Sequence, residues 1–423
     1  MEPAPSRDAV VLLVDAEHVP PALIAEGRPL GASRRTWVVP AHGLVKEAVA
    51  RWSATEGVIS AVPDTLRPLH RRFDDPEYDR QWYLDELGME PLFDVSLGDP
   101  SIRVAVIDSG IDIAHPDLAA GIVDPYDAYD DDADPSPNPG EFCNGSSTAI
   151  CDEHGTAVSG VIAARANNGE GIVGLCSACT LVPIKLLGDG MGALSGDIAA
   201  FEHAIESDAG VINNSWGFVD PTTVPAPLAD VIHRAATEPR GGKGAVVVFA
   251  AGNDDRELGN DEMEALADVL CVGATDVYGA PTAYTNTGDA LDVAAPSATY
   301  STAPGGYTDA FGGTSAAAPV VSGLAAWILS VSPDLTAAEV HAVIVETAQK
   351  SPMVTFDAEG HHPIYGYGNL APDAILARLF PVDTGSEEGP KACGCSGTGQ
   401  PGPWLLVAIG ALLARRQART IQR

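Results

Sequence analysis

The sequence predicts an α/β fold, a mostly parallel sheet with helices on both faces, preceded by a small α+β unit. Two observations carry this expectation. Between residues 102 and 380, short apolar runs alternate with helix-like stretches, the order that builds parallel strands joined by helical crossovers. Before residue 70, strand-like runs lie on either side of a single stretch of helical spacing, which suits a separate compact unit.

Taken in order, residues 9–14 (Ala-Val-Val-Leu-Leu-Val) and 57–62 (Gly-Val-Ile-Ser-Ala-Val) read as strands, and residues 44–52 as a helix. The first unit is therefore placed at residues 1–70. Residues 71–85 read as a connector, since the polar stretch 67–79 carries Arg71, Arg72 and Pro76, a composition typical of an exposed boundary. Within the unit assigned to residues 86–380, strands are expected at 103–108, 180–185, 210–215 and 244–250, each an apolar run ending in a polar turn. Helices are expected at 154–164, 196–207 and 315–330. In such a fold the chemistry gathers where strands end and helices begin. Residues 381–402 form a Gly/Ser/Pro-rich linker with Cys393 and Cys395, and 403–423 a short apolar segment with Arg415 and Arg416.

Composition excludes some functions. Of the 423 residues 45% are hydrophobic and 19% charged, ordinary usage for a folded protein. The 58 acidic residues against 24 Lys and Arg give a formal charge of -34, and that field repels phosphate backbones and anionic lipid. Nucleic acid is not an expected partner. The same excess suits calcium, solubility or basic peptides, which composition alone does not rank.

Cys143 and Cys151 lie in a turn-rich stretch, and Cys176 and Cys179 form a CxxC. Both pairs read as disulfides, because the zinc alternative for the CxxC lacks a second ligand pair. Disulfides imply an oxidising compartment. Cys271, in an apolar strand-like run, reads as a buried core residue. Residues 1–14 show no basic region and only a six-residue apolar run, so no signal peptide is visible. The tail argues the other way. Its apolar run at 404–414 is about half the length of a spanning helix, yet a spacer before it and arginines after it suit a sorting or stop-transfer segment. Export to the cell surface or medium is expected, with the true start upstream of Met1.

Four segments carry chemistry. Asp108 ends an apolar strand and precedes Ser109-Gly110; His154 opens His-Gly-Thr-Ala-Val-Ser-Gly; Ser315 sits in Gly312-Gly-Thr-Ser-Ala-Ala-Ala-Pro319; Asn253 ends Ala250-Ala-Gly-Asn. Singly, each has an ordinary explanation as a turn former, a helix cap or a loop. Together they supply a carboxylate to orient a base, the base, a hydroxyl nucleophile at a helix N-terminus and an amide for an oxyanion. The order Asp, His, Ser and the residues around each resemble the signature blocks of the subtilase family. The likeness runs from about residue 81 to 380.

That resemblance implies a subtilisin-like serine endopeptidase acting on proteins or peptides, with Asp108, His154 and Ser315 as the triad and Asn253 completing the oxyanion hole. Ser215, Trp216 and Gly217 would pair with an extended substrate as an added strand. Asp75-Pro76 ahead of Gln81-Trp-Tyr-Leu84, His115-Pro-Asp-Leu118, Asn213-Asn-Ser-Trp-Gly217 and Gly241-Gly-Lys-Gly244 resemble the kexin branch. Two departures stand out. Ser109 replaces the kexins' second Asp, and Phe218-Val219-Asp220 stands where kexins have an acidic pair, so dibasic specificity is not implied. The kexin-like pattern also implies structural Ca2+ held by Asp75, Asp117 and Asn168, and a second site at Asp130 and Asp134. For the second site a solvated acidic loop is an equal reading. The first unit resembles a subtilase pro-domain, an intramolecular inhibitor of a zymogen. The tail resembles myxobacterial sorting tails and implies a membrane or surface tether. Two other readings remain: a catalytically silent fold serving as a binding module, and a cytoplasmic regulatory protease.

Overall fold

The computed structural model describes residues 6–15, 19–30, 35–65, 72–138, 152–188, 191–218 and 220–381. Cys143, Cys151, Val219, Arg71 and the tail with Cys393 and Cys395 lie outside the described residues. The chain divides into two compact units between Arg72 and Phe73.

The first unit is a four-stranded sheet in the order β2-β3-β1-β4. Its elements are β1 (Ser6–Val14), α1 (Pro21–Glu26), β2 (Arg28–Leu30), β3 (Thr36–Pro40), α2 (Val45–Ser53) and β4 (Val58–Thr65). Pairing is antiparallel throughout. Val10, Leu12 and Val14 alternate inward from β1 and meet Trp37, Val39, Ala48 and Trp52, all buried, so the period-2 pattern of one strand and the helical spacing of α2 share a core.

Residues 73–85, expected as a connector, fold with the second unit. Phe73, Tyr83 and Leu84 are buried in its core, and Phe73 packs edge-on against Phe93 at 5.4 Å. The polar composition of 67–79 conceals these apolar anchors, whose burial outweighs the exposed charge around them.

The second unit begins with α3 (Trp82–Glu86), α4 (Glu90–Val95), β5 (Arg103–Asp108), β6 (Tyr126–Asp127), α5 (His154–Ala163), β7 (Thr180–Lys185), α6 (Leu194–Glu206) and β8 (Val211–Asn214). It continues with α7 (Ala226–Ala235), α8 (Pro239–Gly242), β9 (Val246–Ala250), β10 (Val269–Thr275), β11 (Val293–Pro296), the hairpin β12 (Thr299–Ala303) and β13 (Gly306–Phe311), α9 (Thr314–Val331), α10 (Ala337–Thr347) and α11 (Pro372–Leu379). Seven strands form one sheet, β11-β10-β9-β8-β5-β7-β6, and every pairing in it is parallel. This is the α/β architecture expected from the alternation of apolar runs.

Successive residues of each strand serve opposite faces. Val104, Val106, Val211 and Val248 join α5 and α9 in one core; Ala105, Ile107, Ile212 and Phe249 join α6 and α7 in the other. Burial on both faces explains why these strands are continuously apolar rather than alternating. The chain starts the sheet at β5, in its middle, and later strands add on either side. The carboxyl ends of β5 and β8 therefore meet at a switch in strand order, where open α/β sheets leave a crevice.

Candidate active site

Asp108 is the last residue of β5 and is fully buried. Its Oδ1 accepts from the Ser109 amide at 2.7 Å and pairs with His154 Nδ1 at 2.7 Å. His154 opens α5. Gly155 allows this close approach, since a Cβ there would sit 2.3 Å from the Gly110 carbonyl oxygen. The hairpin β12–β13 clamps the same helix: Ser301 and Thr302 donate to the Ala157 and Thr156 carbonyls, and Phe311 meets the imidazole edge-on at 5.6 Å. Burial works against a charged imidazole, but Asp108, through its charge and hydrogen bond, and then Asp152 and Glu153 outweigh it, so His154 is raised above the ordinary imidazole value.

Ser315 lies in the first turn of α9, where helix amides converge. Gly313 carries the turn into the helix at φ 77, and a Cβ there would sit 3.2 Å from Asn253 Oδ1, so both backbone and space call for glycine. Asn253 Oδ1 accepts from the Thr314 amide and hydroxyl at 2.8 and 3.1 Å. That anchor fixes which end of the amide faces outward: Nδ2, the donor. Pro319, four residues beyond Ser315, has no N–H to give to the Ser315 carbonyl. Ser215 Oγ donates to that carbonyl instead, at 3.0 Å, and Ser315 Oγ donates to the Ser215 carbonyl at 3.2 Å. The two serines tie β8 to α9. In this rotamer Ser315 makes no hydrogen bond to His154 among the described residues.

The β8 ladder ends at Asn214. Ser215, Trp216 and Gly217 run on past it and line, with Asn253, Thr314 and Ser315, a cavity of about 200 Å³. The structure thus gathers Ser315, Asn253 and the 215–217 strand around one cavity, and pairs Asp108 with His154 at the same carboxyl edge of the sheet.

Three residues here escaped sequence reasoning. Asp152 is buried, and its Oδ1 accepts from the His154 amide at 3.0 Å; burial, with Asp108 adding repulsion, raises its carboxyl above the usual range. Asn286 Oδ1 accepts from the Asp254 and Arg256 amides while Nδ2 donates to the Ala251 carbonyl, holding the loop that carries Asn253. Glu264 lines the cavity wall. Nothing in spacing marks Asn286 or Glu264, but Asp152, two residues before the histidine, was open to inspection.

Of the metal candidates, Asp75 and Asp117 are both fully buried. Asp75 Oδ2 accepts from the Asn167 amide, and Asp117 accepts from Asn168 Nδ2 and the Ile172 amide. Burial raises both carboxyls, and each carboxylate's proximity to other acids adds to it. Asp75 Oδ1 is buried with no hydrogen-bond partner. Two buried carboxylates, one with an unsatisfied oxygen, fit a hard cation that takes oxygen ligands, whereas Asn168 turns its Nδ2 to Asp117 and its Oδ1 accepts from the Glu170 amide, so its side chain would have to turn to join them. Asp130 and Asp134 differ. Both are exposed, no bond joins them among the described residues, and the buried acid of that loop is Asp127, 3.6 Å from Lys185. No group of three or more His, Cys, Asp or Glu placed for a metal occurs among the described residues. Cys176 and Cys179 are joined as a disulfide, and Cys271 is buried in β10.

Comparison with known proteins places this geometry in context. Residues 99–368 match the subtilase family of peptidases. The chain is 30% identical over 369 residues to a calcium-dependent protease of Nostoc, covering 74% of this chain and 53% of the relative. It is 35% identical over 260 residues to a thermophilic serine proteinase of Bacillus, covering 61% and 59%. The chain thus spans little more than half the length of these curated relatives. A solved protease structure from Pseudoalteromonas arctica superimposes with a TM-score of 0.59 at 27% identity, over 73% of this chain and 100% of that one.

Proposed function

The chain belongs to the subtilase family, and on that footing we propose that it is a serine endopeptidase made as a zymogen. The observation that carries the reading is the buried Asp108 paired at 2.7 Å with the imidazole of His154, at the sheet edge where Ser315 opens α9.

Asp108 holds the Nδ1–H tautomer and favours the imidazolium that forms when the base takes a proton. His154 Nε2 takes the proton of Ser315 Oγ once substrate reaches the cavity and the hydroxyl leaves the Ser215 carbonyl. Ser315 Oγ attacks the peptide carbonyl; the developing oxyanion is met by Asn253 Nδ2 and the Ser315 amide. His154 then gives its proton to the leaving amine, and water repeats the sequence to free the acyl group. Ser215, Trp216 and Gly217 offer their backbone to an extended peptide.

Asp75, Asp117 and Asn168 would hold Ca2+, which when bound would supply positive charge to offset the two buried carboxylates. Relatives named calcium-dependent proteases support this assignment. Asp130 and Asp134 have only their exposed acidity to recommend them. The first unit, by size and position, suits an inhibitor of the same chain. The kexin-like segments and the tail resembling myxobacterial sorting tails fit an exported, surface-tethered enzyme, as does the Cys176–Cys179 disulfide.

Casein hydrolysis together with fluorophosphonate labelling tests the reading. Both are expected in calcium and both should vanish in Ser315→Ala. A wild type that, with its first unit removed, neither labels nor cuts would instead be a silent fold that binds.

A further inference from the structure

One wall of the cavity beside Ser315 carries a charge that hydrolysis does not use. Glu264 comes from the single helical turn Met263–Ala265 that leads into β10, and only 6% of it is exposed. Its Oε1 lies 2.9 Å from where a side chain on Gly217 would begin. The carboxyl group is thus set against the strand offered to substrate, and a glycine at 217 makes the room for it.

Two of the other charges nearby, Arg256 and Glu262, are already partnered with each other. Arg256 donates two bonds to Glu262, at 2.8 and 2.6 Å, and Glu262 also accepts from the Gly259 amide. Glu264 forms no hydrogen bond or ion pair with another side chain among the described residues. Small residues, Gly217, Ala250, Ala251 and Gly252, form much of the remaining lining. An apolar side chain entering here would seal a carboxylate away from water with no partner, which is costly; a cationic one would satisfy it.

We propose that Glu264 selects the substrate: the cavity takes a Lys or Arg side chain from the residue whose carbonyl Ser315 attacks, and the Glu264 carboxylate pairs with its cationic end. This rests on the peptidase reading and adds a side-chain preference to it. Burial pushes Glu264 up to about 7, with repulsion from Glu262 partly offset by Arg256, and Asp254 is the remaining charged group of the lining. The preference should therefore depend on pH.

The test uses the full-length chain and peptides identical except for Arg, Lys, Phe or Leu before the cleaved bond. Arg and Lys peptides should give the higher kcat/KM. The Arg-to-Phe ratio should rise between about pH 6 and about pH 8 as Glu264 ionises, because the His154 titration is common to both substrates and cancels. In Glu264→Gln that ratio should fall roughly 10- to 100-fold and lose its pH dependence. Cleavage with a flat or apolar preference would overturn the proposal while leaving the peptidase intact. Titration of the Ser315→Ala protein with p-aminobenzamidine, a cationic fluorophore, needs no turnover. With the first unit removed by limited proteolysis, saturable binding that disappears when Glu264→Gln is added supports the pocket assignment even if no peptide is cut, and no binding overturns it. Absence of cutting and labelling in the wild type after its first unit is removed would count against the peptidase reading alone.

Discussion

Asp152 shows how much one side chain near the base can matter. Its carboxylate sits behind the His154 amide and adds to the negative field that Asp108 creates. A base must be neutral to accept a proton, so kcat/KM should rise with pH through a His154 pKa above the ordinary imidazole value. Replacing Asp152 with Asn removes one of the charges that favour the imidazolium, and the acid limb of that profile should move to lower pH; an unmoved limb would exclude this role. Asp108→Asn should lower kcat by about 10⁴, the cost of the wrong imidazole tautomer in a comparable triad. Asn253→Ala should cost about 10²–10³ in kcat with little change in KM, since its amide acts only on the oxyanion. The triad was readable because each member sits at a position its neighbours announce: a strand end, a His-Gly helix start, a Gly-Gly turn into small residues. Glu264 and Asn286 were not, because a loop of unremarkable polar sequence brings each to the site, and only packing decides which of its acids or amides turns inward.

At the level of elements, the turn into α9 has the least tolerance. Gly313→Ala would force a side chain into the left-handed region and against Asn253, displacing both the oxyanion amide and Ser315; activity should fall more than thermal stability, measured by kcat/KM alongside a melting curve. The Asp75–Asp117–Asn168 cluster should act on stability instead. Burial raises both carboxyls above the usual range, so without a cation they support the fold while protonated, below the ordinary carboxylate pKa. That support is lost as pH rises through their folded values. A bound cation reverses the balance by favouring the ionised pair. Chelation should therefore lower Tm by roughly 5–10 °C at neutral pH and by much less near pH 4, where about half of ordinary carboxyls are protonated. An equal loss at both pH values would argue against these ligands. Strands β5, β7, β8 and β9 were legible as apolar runs, and β10 as the strand-like run around Cys271, since two buried faces leave no polar alternation to confuse them; the short edge strands β6 and β11 were missed. The strands β2 and β3 and the helix α1 of the first unit were missed. They are short, and Pro20, Pro21, Pro29 and Pro40 punctuate that stretch like a loop.

Across the whole molecule, an acid-rich chain of formal charge -34 should draw cationic peptides by long-range attraction, and this effect is screened by salt. KM for Arg- or Lys-containing peptides should rise with ionic strength more steeply than for neutral peptides of the same length. The boundary between the two units illustrates how composition misleads at this scale: the polar residues of 67–79 read as a connector, yet Phe73 and Asp75 within it are buried. The unit ahead of Arg72 is compact in its own right. If it inhibits the rest, fluorophosphonate labelling of freshly made protein should lag and then accelerate as that unit is cleaved away.

Peptide hydrolysis by this chain requires Ser315 as the nucleophile that His154 and Asp108 activate. Fluorophosphonate labelling of the wild type and of Ser315→Ala in calcium, followed by casein hydrolysis, tests it most directly. A single labelled serine is expected, identified as Ser315 by peptide mapping, with label and hydrolysis lost together in the variant. Label on another residue, or hydrolysis that survives Ser315→Ala, would contradict it.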